Sequence, residues 1–579
     1  MIRSFNQLTL NEQGIIAALG RKPSVLEQDI LKHFYFSKYM SNPIPELSNI
    51  TSYGKNSFAI NDSSLLIVGS ESKGSIISSS AKRPLTALGI KPGLRYQGNN
   101  SKISFGIAKR SHIEVTRLFE KDELIFLQDS AQLVRVCADI LQREKVSIKE
   151  VGPASLGHVL NTLSSNQFGV DIHLSALTKI SIFSDKNIHG VLAITNKKEI
   201  TRIKSICKKY KQDLIQLGRL KNVQFMTISV RKKTKAHFPI SILNIAEPPR
   251  TSIVPAVQQI ASTKQLSKNR ELKNYSKQVL DVWKFISKKK HEKFKPNSSQ
   301  IYSIGILKHD SEIAVSIPDN LHLLQKDIKN GCRIITSNAA RQLVCKGYKP
   351  LTAALIISAK NLEENDTQWN VQEIFTGVYE TLQHIGINMA KPVISTNTSS
   401  KLDMELCVVG VKTFEHEEDM NTFKDINDFI TLLGSHRGEL NSSFYQEKIL
   451  KQKSNLIPTV DQQMEARLQE TVLQGIQTGL IKSAVNVSVG GIVTALIRSL
   501  KNTEQGIGAR IHLSRKLRQD EMLFGETQGM VVVSIGERDL MEFERICMTI
   551  GVPSTTIGRV TNDGRFKFND VVNLQTNKL

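Results

Sequence analysis

The sequence predicts an α+β (mixed α/β) protein that consists of two tandem copies of the same pair of domains. Two observations support this prediction. A segment of about thirty residues occurs twice, at positions 190–220 and 529–560, and strand-like and helix-like patterns alternate through both halves of the chain. Because duplicated copies diverge independently, each copy has to be judged on its own residues.

The repeat has matching features along its length. Both segments begin with Gly and an apolar β-branched run, continue through a helix-period stretch containing Ile-Cys, and end on Gly-Arg. A second repeated motif, Pro-Leu-Thr-Ala, begins at Pro84 and again at Pro350. The interval from Pro84 to Gly190 is 106 residues, whereas the interval from Pro350 to Gly529 is 179 residues. A fold tolerates such a difference in its loops, so a loop that carries chemistry can be missing from the first copy.

The first copy is predicted to begin after a helical segment at residues 1–50. Leu10, Ile15 and Leu19 recur at helical spacing, and Gly20 provides a stop signal. Residues 51–112 contain short β runs separated by turn residues and form the first domain of the copy. Residues 113–245 alternate strands with helices, among them an amphipathic helix over 130–142, and form its second domain.

A polar segment separates the two copies. Pro248 and Pro249 break the alternating pattern, and residues 246–300 are lysine-rich and partly helical, so they are predicted to be a linker. The second copy then follows as one domain over 301–415 and another over 416–579.

Composition limits the class of protein. The 579 residues carry a net charge of +23, which leaves open a solvated lysine-rich surface, a nucleic acid such as RNA, or an acidic protein partner. No run approaches the ~18 apolar residues that span a bilayer, and the N-terminus lacks a signal-peptide pattern. The six cysteines are scattered without a Cys-x-x-Cys pair, which favours reduced core thiols in a cytoplasmic protein.

One motif resembles a known family. Residues 523–529 read LFGETQG and resemble the LFGESQG segment of phosphoribosylformylglycinamidine synthase, a member of the AIR synthase-related superfamily. Weaker resemblances follow the family's order along nearly the whole chain: FSKYMS (36–41) to WSEHCS, Glu71-Ser72 to the start of ESHNHPS, PVISTNTSS (392–400) to PVVSGNVSL, LGSHRGELNSSFY (433–445) to LG…ELGGSEY, and AVNVSVGG (484–491) to AHDVSDGG.

The resemblance implies both a fold and an activity. Two N-terminal-type domains (51–112, shortened, and 301–415) would pair as a central barrel, flanked by two C-terminal-type α/β domains (113–245 and 416–579). The activity implied is an ATP-dependent C–N ligase of purine biosynthesis that forms an amidine. Such chemistry requires carboxylates for Mg²⁺, a phosphate-binding loop and an acid–base group such as His. No glutaminase domain is recognised, so ammonia would come from a separate glutaminase.

Several of the family's chemical groups are replaced in this chain. Tyr39 stands for the histidine of WSEHCS, Lys73 and Ser75 for the histidine pair, and Asn486 and Val489 for the two aspartates of DVSDGG. We therefore expect a divergent, catalytically inactive member that acts as a binding, scaffold or regulatory subunit. Its partner would be an active synthase, a glutaminase or a larger assembly. The alternative is an active synthase that uses ammonia from a separate glutaminase.

Six residues remain as candidates for cofactor binding, and no residue is assigned a catalytic role. Glu71 and Ser72 belong to the first copy, and Gly490, Gly491, Glu526 and Gln528 to the second. Glu71 and Glu526 are the candidate metal ligands. The two glycines precede an apolar helix whose first backbone N–H groups could bind a phosphate, so the cofactor would be Mg–ATP or a structural ADP. Packing and tight turns are the competing explanation for these residues.

Overall fold

The structure is a computed structural model in which two units are resolved, and each is described here by itself. The first unit comprises residues up to 256 together with 354–369 and 390–405, and the second comprises the remainder of the chain. The structure describes residues 12–28, 30–31, 57–60, 64–72, 75–77, 94–97, 101–109, 120–128, 130, 132–141, 146–151, 168–174, 190–242, 271–287, 294–295, 304–308, 312–318, 320–360, 365–390, 392–396, 402–412, 420–501, 503, 506–514 and 516–579.

The amino-terminal part of the first unit contains the following strands and helices within these ranges. The strands are β1 (Ser57–Ala59), β2 (Ser64–Ser72), β3 (Ser75–Ile77), β4 (Leu94–Gln97), β5 (Ser101–Lys109), β6 (Glu123–Gln128), β7 (Val146–Val151), β8 (Gly169–Leu174), β9 (Gly190–Thr195), β10 (Leu214–Lys221), β11 (Phe225–Val230) and β12 (Lys233–Pro239). The helices are α1 (Glu12–Leu19), α2 (Leu133–Leu141) and α3 (Lys197–Lys209). Helix α2 confirms the amphipathic helix expected over 130–142.

The rest of the described chain adds the following elements. The strands are β13 (Phe294–Lys295), β14 (Ile304–Lys308), β15 (Glu312–Ser316), β16 (Tyr348–Ala359), β17 (Asn388–Met389), β18 (Val393–Thr396), β19 (Asp403–Lys412), β20 (Phe429–Leu433), β21 (Ile481–Asn486), β22 (Gly508–Ile511), β23 (Val531–Ile535), β24 (Ser554–Thr561), β25 (Arg565–Phe568) and β26 (Val572–Gln575). The helices are α4 (Ser276–Ser287), α5 (Ile328–Val344), α6 (Asn365–His384), α7 (Gln462–Gln477), α8 (Gly491–Leu500), α9 (Gln519–Phe524) and α10 (Leu540–Ile550), with 3-10 turns at Leu321–Gln325 and Thr576–Lys578 and a π turn at Tyr445–Ile449.

The two units each contain a seven-stranded sheet, and the two sheets have the same topology. In the first unit the order is β7-β9-β6-β10-β8-β11-β12, and in the second it is β21-β23-β20-β24-β22-β25-β26. All neighbours are antiparallel except β8–β11 and its counterpart β22–β25, which are parallel. The repeat seen in the sequence is therefore a repeat of tertiary structure.

The repeated Gly-Arg pair, Gly218-Arg219 and Gly558-Arg559, lies at the same irregularity in both sheets. The ladder between β6 and β10 skips Leu217, and the ladder between β20 and β24 skips Ile557, so each sheet has a bulge at the same place. A Cβ atom on Gly218 would lie 1.9 Å from the carbonyl oxygen of Asp171, and one on Gly558 would lie 2.1 Å from that of Arg510. The adjacent strand approaches too closely for any side chain, which explains why both copies carry glycine there.

Each of these sheets buries both faces. In β6, Leu124 and Phe126 point to one apolar cluster, whereas Ile125 and Leu127 point to another that includes the inner faces of α2 and α3. In the second unit, helices α7 and α10 cover one face, and α4 and α8 lie against the other. The expected alternation of strands with helices along the chain therefore corresponds to sheets that are covered by helices on both faces.

The remaining sheets are formed mainly by the shorter domains. Strands β1, β2, β5 and β4 form an antiparallel ladder in the first unit, where β3 also pairs with β18 and the last residues of β16 run parallel to β18. In the second unit β14, β15 and β19 pair antiparallel, and β16 starts parallel to β17. The expected pairing of two such domains as a central barrel stays a prediction.

The predicted linker contains a helix that belongs to the second unit. Tyr275, Val279, Val282 and Trp283, at the start and on one face of α4, are buried in the core of that unit. The indole Nε1 of Trp283 donates a hydrogen bond to the carbonyl oxygen of Leu579, 3.2 Å away. Residues 271–287 therefore pack as part of the unit, whereas most of the remaining lysine-rich segment lies outside the described residues.

Two further sequence expectations concern the whole molecule. All six cysteines are buried and unpaired, as expected for core thiols. None of the helices in the described ranges has both the length and the apolar character that crossing a membrane requires.

A buried carboxylate attaches the N-terminal segment to the first unit's seven-stranded sheet. Glu27 accepts hydrogen bonds from the Arg21 guanidinium at 2.8 and 2.9 Å and from the backbone N–H groups of Ser24 and His237 at 2.7 and 2.8 Å. Burial raises the pKa of Glu27, but these hydrogen bonds and the Arg21 charge outweigh it and lower the pKa to about 2. Ile15, Ile30 and Leu31 then bury against the sheet.

We predict that Glu27→Gln lowers the free energy of local opening of this N-terminal segment by about 2 kcal/mol, because the amide cannot replace the charge-assisted hydrogen bonds of the carboxylate. Amide hydrogen exchange of residues 12–19 measures the effect at pH 7. Since the folded pKa lies below the ordinary value of 4.5, the contribution is complete above that value and is lost as pH falls towards about 2. The wild type and the variant should therefore converge at low pH. Glu120→Gln, at an exposed position, is the matched control, and equal exchange in all three proteins at pH 7 would contradict the prediction.

Candidate functional site

The LFGETQG segment is a buried connection between α9 and β23. Phe524 is fully buried, and its ring stacks on Tyr445 with centroids 4.0 Å apart and planes 7° apart. The hydroxyl of Thr527 accepts hydrogen bonds from the backbone N–H groups of Arg437 and Glu439, each at 3.3 Å. The segment therefore holds the 433–445 loop against the sheet.

Glu526 is buried and has an internal role. Its Oε1 accepts hydrogen bonds from the backbone N–H of Phe444 at 2.7 Å and from that of Gly490 at 2.9 Å. Its own backbone N–H donates to the carbonyl oxygen of Glu439 at 2.8 Å. One carboxylate thus joins the 433–445 loop to the start of helix α8.

The two candidate glycines form the turn that begins α8. Both have left-handed backbone angles, with φ of +86° at Gly490 and +72° at Gly491. A Cβ atom on Gly491 would lie 2.7 Å from the carbonyl oxygen of Leu523, so the turn packs directly on the end of α9. The N–H of Gly491 donates to the carbonyl oxygen of Ser488, and that of Gly490 donates to Glu526. A helix N-terminus attracts anions, and here the anion is a carboxylate of the chain itself.

A fully buried guanidinium lies next to this turn. Arg341, on α5, donates from Nε to Oδ1 of Asn486 at 2.8 Å and from Nη2 to Oε1 of Gln528 at 3.1 Å. Its Nη1 forms a close ion pair with Glu465 of α7, which is equally buried. All three guanidinium nitrogens therefore have an acceptor, as an interior guanidinium requires.

Further amides complete the polar network. Gln469 donates to the second oxygen of Glu465 at 2.8 Å, and Gln528 donates to the backbone oxygen of Glu526 at 2.8 Å. Asn486 donates to Asn338, which in turn donates to Asn320 at 3.3 Å. We call the following residues the Arg341 network: Asn320, Asn338, Arg341, Glu465, Gln469, Asn486 and Gln528.

The network bears on whether this region fits Mg–ATP. The resemblance placed Asn486 where the family has the first aspartate of DVSDGG, and Asn486 contacts the Arg341 guanidinium. The carboxylates of Glu465 and Glu526 already accept hydrogen bonds from side-chain or backbone donors. A divalent cation would need to displace these donors and lie beside a fixed positive charge, so the residues present do not fit a Mg²⁺–nucleotide group.

A partly buried histidine in the same region contacts the backbone through both of its ring nitrogens. His436 interacts through Nε2 with the carbonyl oxygen of Met522 at 2.8 Å, and its Nδ1 accepts from the N–H of Gly438 at 3.2 Å. Burial lowers the pKa of His436, and the backbone hydrogen bond only partly opposes it. The neutral ring with its proton on Nε2 satisfies both contacts, so neither nitrogen is directed at a ligand.

The structure brings together four of the six candidate residues. Glu526, Gln528, Gly490 and Gly491 lie within one hydrogen-bonded region of the second unit. The other two candidates lie at the end of β2 in the first unit, where Glu71 is opposite Lys102 and Ser72 is opposite Ser101. The side chains of this pair are outside the described part of the structure, as are Tyr39 and Lys73. The roles of all six candidates in cofactor or metal binding stay predictions.

The described residues contain no cluster of side chains that could serve as a metal site. Within those ranges, no group of three or more His, Cys, Asp or Glu side chains has an arrangement suited to a metal ion.

Sequence reasoning missed Arg341 and Glu465. A signal was present in α5, because Asn338 and Arg341 occur in the otherwise apolar and small-residue stretch IITSNAARQLV. An arginine in a helix whose residues are buried on most sides requires an acidic partner. That partner is 124 residues away in the chain, and no local pattern identifies it.

Comparison with known proteins identifies the class. Residues 426–571 match the family model described as AIR synthase related protein, C-terminal domain. This range covers six of the seven strands of the second seven-stranded sheet (all except β26), the Gly490–Gly491 turn and the LFGETQG segment. The similarity to this family therefore lies within the second unit.

Among characterised proteins, the chain is similar to phosphoribosylformylglycinamidine synthase subunit PurL from several organisms. It is 29% identical to PurL of Symbiobacterium thermophilum over 262 residues, which are 44% of this chain and 34% of the relative. It is 24% identical to PurL of Alkaliphilus metalliredigens over 463 residues, which are 74% of this chain and 62% of the relative. The chain therefore matches less than two thirds of the length of these relatives.

Solved structures agree on the fold. Thermotoga maritima PurL complexed with ADP matches with a TM-score of 0.56 at 11% identity, covering 95% of this chain and 99% of that chain. The PurLQS structure from the same organism matches with a TM-score of 0.54 at 12% identity, covering 97% of this chain and 100% of that chain. This likeness confirms the mixed α/β fold with a repeated domain arrangement.

We predict that Arg341→Leu destabilises the second unit by about 3–5 kcal/mol, because it leaves Glu465 charged and buried without its partner. Arg341→Leu/Glu465→Leu should recover at least half of this loss, since the uncompensated charge is then absent. Urea unfolding followed by Trp283 fluorescence in a Trp369→Phe background reports on the second unit, because these are the two tryptophans of the chain.

Arg538→Leu is the matched control for this experiment, because Arg538 is an exposed arginine of the same unit. It should change the unfolding free energy by less than about 0.5 kcal/mol. An Arg341→Leu protein as stable as this control would show that the buried ion pair is not needed.

Proposed function

We propose that this protein is a PurL-like pseudoenzyme that acts in the cytoplasm as a binding, scaffold or regulatory subunit and does not carry out ATP-dependent amidine formation. The observation that carries the proposal is the Arg341 network. The ion pair between Arg341 and Glu465 and the hydrogen bonds of Glu526 use internal groups where Mg–ATP chemistry would need ligands open to an external cation and phosphate.

Electrostatics supports the proposal. A Mg²⁺ site that binds a nucleotide relies on carboxylates that direct negative charge at the ion. In the second unit the equivalent position is the neutral Asn486. Its Oδ1 accepts a hydrogen bond from the Arg341 guanidinium at 2.8 Å, and a guanidinium is a permanent cation. Electrostatic repulsion would therefore oppose a second cation there.

A bound nucleotide without turnover is compatible with this proposal. Thermotoga maritima PurL has been solved with ATP and with ADP, so the fold can hold a nucleotide in a relative. Glu71 and Ser72 in the first copy remain candidates for a structural ADP and Glu71 for a metal, whereas the internal hydrogen bonds of Glu526 argue against the metal role expected for it. Release of nucleotide from the denatured, freshly purified chain, identified by chromatography, tests this part separately.

We predict that the purified chain forms no amidine product from FGAR, ATP, Mg²⁺ and ammonia. FGAR is the compound bound in one solved Thermotoga maritima PurL. Alkaliphilus metalliredigens PurL, assayed beside it in the same buffer, is the positive control, and Trp283 emission verifies that the chain is folded. Product formation at the rates of ordinary enzymes, about 1–1,000 per second, would establish the alternative, an active C–N ligase supplied with ammonia by a separate glutaminase.

We further propose that the chain works with a protein partner: an active synthase, a glutaminase or a larger assembly. The PurLQS structure shows that a relative of this fold has been solved with other subunits. Affinity capture from the cells in which the protein occurs, followed by mass spectrometry, identifies the partner. An RNA or acidic partner rests on the net charge of +23 alone, and ribonuclease treatment of the captured material would reveal it.

A further inference from the structure

Helix α10 carries two methionines that project from the second unit. Met541 is 82% exposed and Met548 is 81% exposed, whereas Phe543 and Cys547 on the same helix are fully buried in the core. The two methionines are seven residues apart and therefore lie on one side of the helix, with Glu544 and Arg545 between them. These four residues and Thr549 line an open depression of the surface. Large apolar side chains grouped in this way commonly mark an interaction surface.

The first copy provides an internal reference for this face. Helix α3 occupies the equivalent place, since its buried Ile203 and Cys207 correspond to Phe543 and Cys547. Its equivalents of Met541, Glu544 and Met548 are Thr201, Lys204 and Lys208, and all three are exposed. The repeated fold is therefore compatible with a fully polar outer face, and the methionines are particular to the second copy.

We propose that this face of α10 binds the same face of a second copy of the chain, with the two helices antiparallel about a twofold axis. The axis would pass between Glu544 and Arg545, because those positions are the midpoint between Met541 and Met548. Under this symmetry Met541 packs on Met548 of the other copy at both ends of the contact. Two equivalent apolar contacts then flank a charged centre.

Charge complementarity is the reason for choosing a second copy as the occupant. The same symmetry places Glu544 of each copy opposite Arg545 of the other, which gives two opposite-charge pairs at the centre. An antiparallel arrangement is needed for this match, because a parallel one would place like charges together. Arg545 already pairs with the exposed Glu542 of its own helix at 2.9 Å, and an exposed pair of this kind exchanges partners at little cost.

The dimer is expected to be weak. One short helix from each copy buries less area than the ~1,200–2,000 Å² of stable interfaces, so association should fall in the micromolar range or weaker. Sedimentation equilibrium of the full chain over a range of concentrations, at low and high salt, measures it.

Charge-swap variants test the pairing. Glu544→Arg and Arg545→Glu should each weaken dimerisation at least about tenfold, since like charges then face each other twice. The double variant Glu544→Arg/Arg545→Glu should return to within about threefold of the wild type, because the opposite-charge pairs are restored in reversed order. Lys204→Glu on α3 is the matched control and should change nothing.

Disulfide trapping tests the orientation. Every native cysteine is buried, so an introduced surface cysteine is the reactive thiol. A mixture of Met541→Cys and Met548→Cys proteins should crosslink rapidly. Either variant alone should crosslink slowly, because identical positions lie about 10 Å apart along the antiparallel axis, beyond the reach of a disulfide. Thr201→Cys is the control for random collisions.

A chain that remains monomeric at all concentrations would overturn the proposal. It would also be overturned by a dimer that is insensitive to the single charge variants, or by crosslinking of Met541→Cys to itself as fast as to Met548→Cys. Binding of this face to a different protein, with no self-association, would likewise assign the surface to another occupant. These outcomes are independent of the amidine assay.

Discussion

The second unit depends on the buried ion pair between Arg341 and Glu465. A guanidinium in the interior loses the hydration that stabilises it in water, so each of its donors must meet an acceptor in a fixed position. Helix α5 supplies the cation, α7 the carboxylate, and Asn486 and Gln528 the remaining acceptors. The pair thereby sets how two helices, the end of the edge strand β21 and the LFGETQG segment lie relative to one another within this unit.

Glu526 is a second buried acidic residue in this region, and backbone N–H groups are its partners. Its carboxylate accepts from the backbone at the start of α8, the kind of position at which phosphates often bind in other proteins, and it also accepts from Phe444. Internal groups therefore satisfy both a cation and an anion in one region. The same motif that indicates the family is in this chain a packing and hydrogen-bonding element, which is why resemblance in LFGETQG does not by itself argue for catalysis.

Much of the architecture could be predicted from the sequence because it depends on local pattern. The echo ending in Gly218-Arg219 and Gly558-Arg559 predicted a repeated frame, and both glycines lie at equivalent bulges where a neighbouring carbonyl leaves no room for a side chain. The helix over 130–142 and the core cysteines were predicted for the same reason. The candidate site was predicted less well. Glu526, Gln528 and the two glycines do lie together, but Arg341, Glu465 and His436 were missed, because partners distant in the chain leave no periodic signal.

Periodicity, turn residues and the repeated Gly and Gly-Arg positions were thus enough to predict the class of fold, the number of copies and the family resemblance. Each of these follows from interactions between residues close in the chain. The partners of the charges depended on three-dimensional packing. Whether Glu526 faces a metal or a backbone N–H, and whether Asn486 replaces a ligand or accepts from a guanidinium, depends on which distant side chains the folded core places within about 3 Å. Burial makes those contacts obligatory, and burial is a property of the assembled unit and not of any one segment.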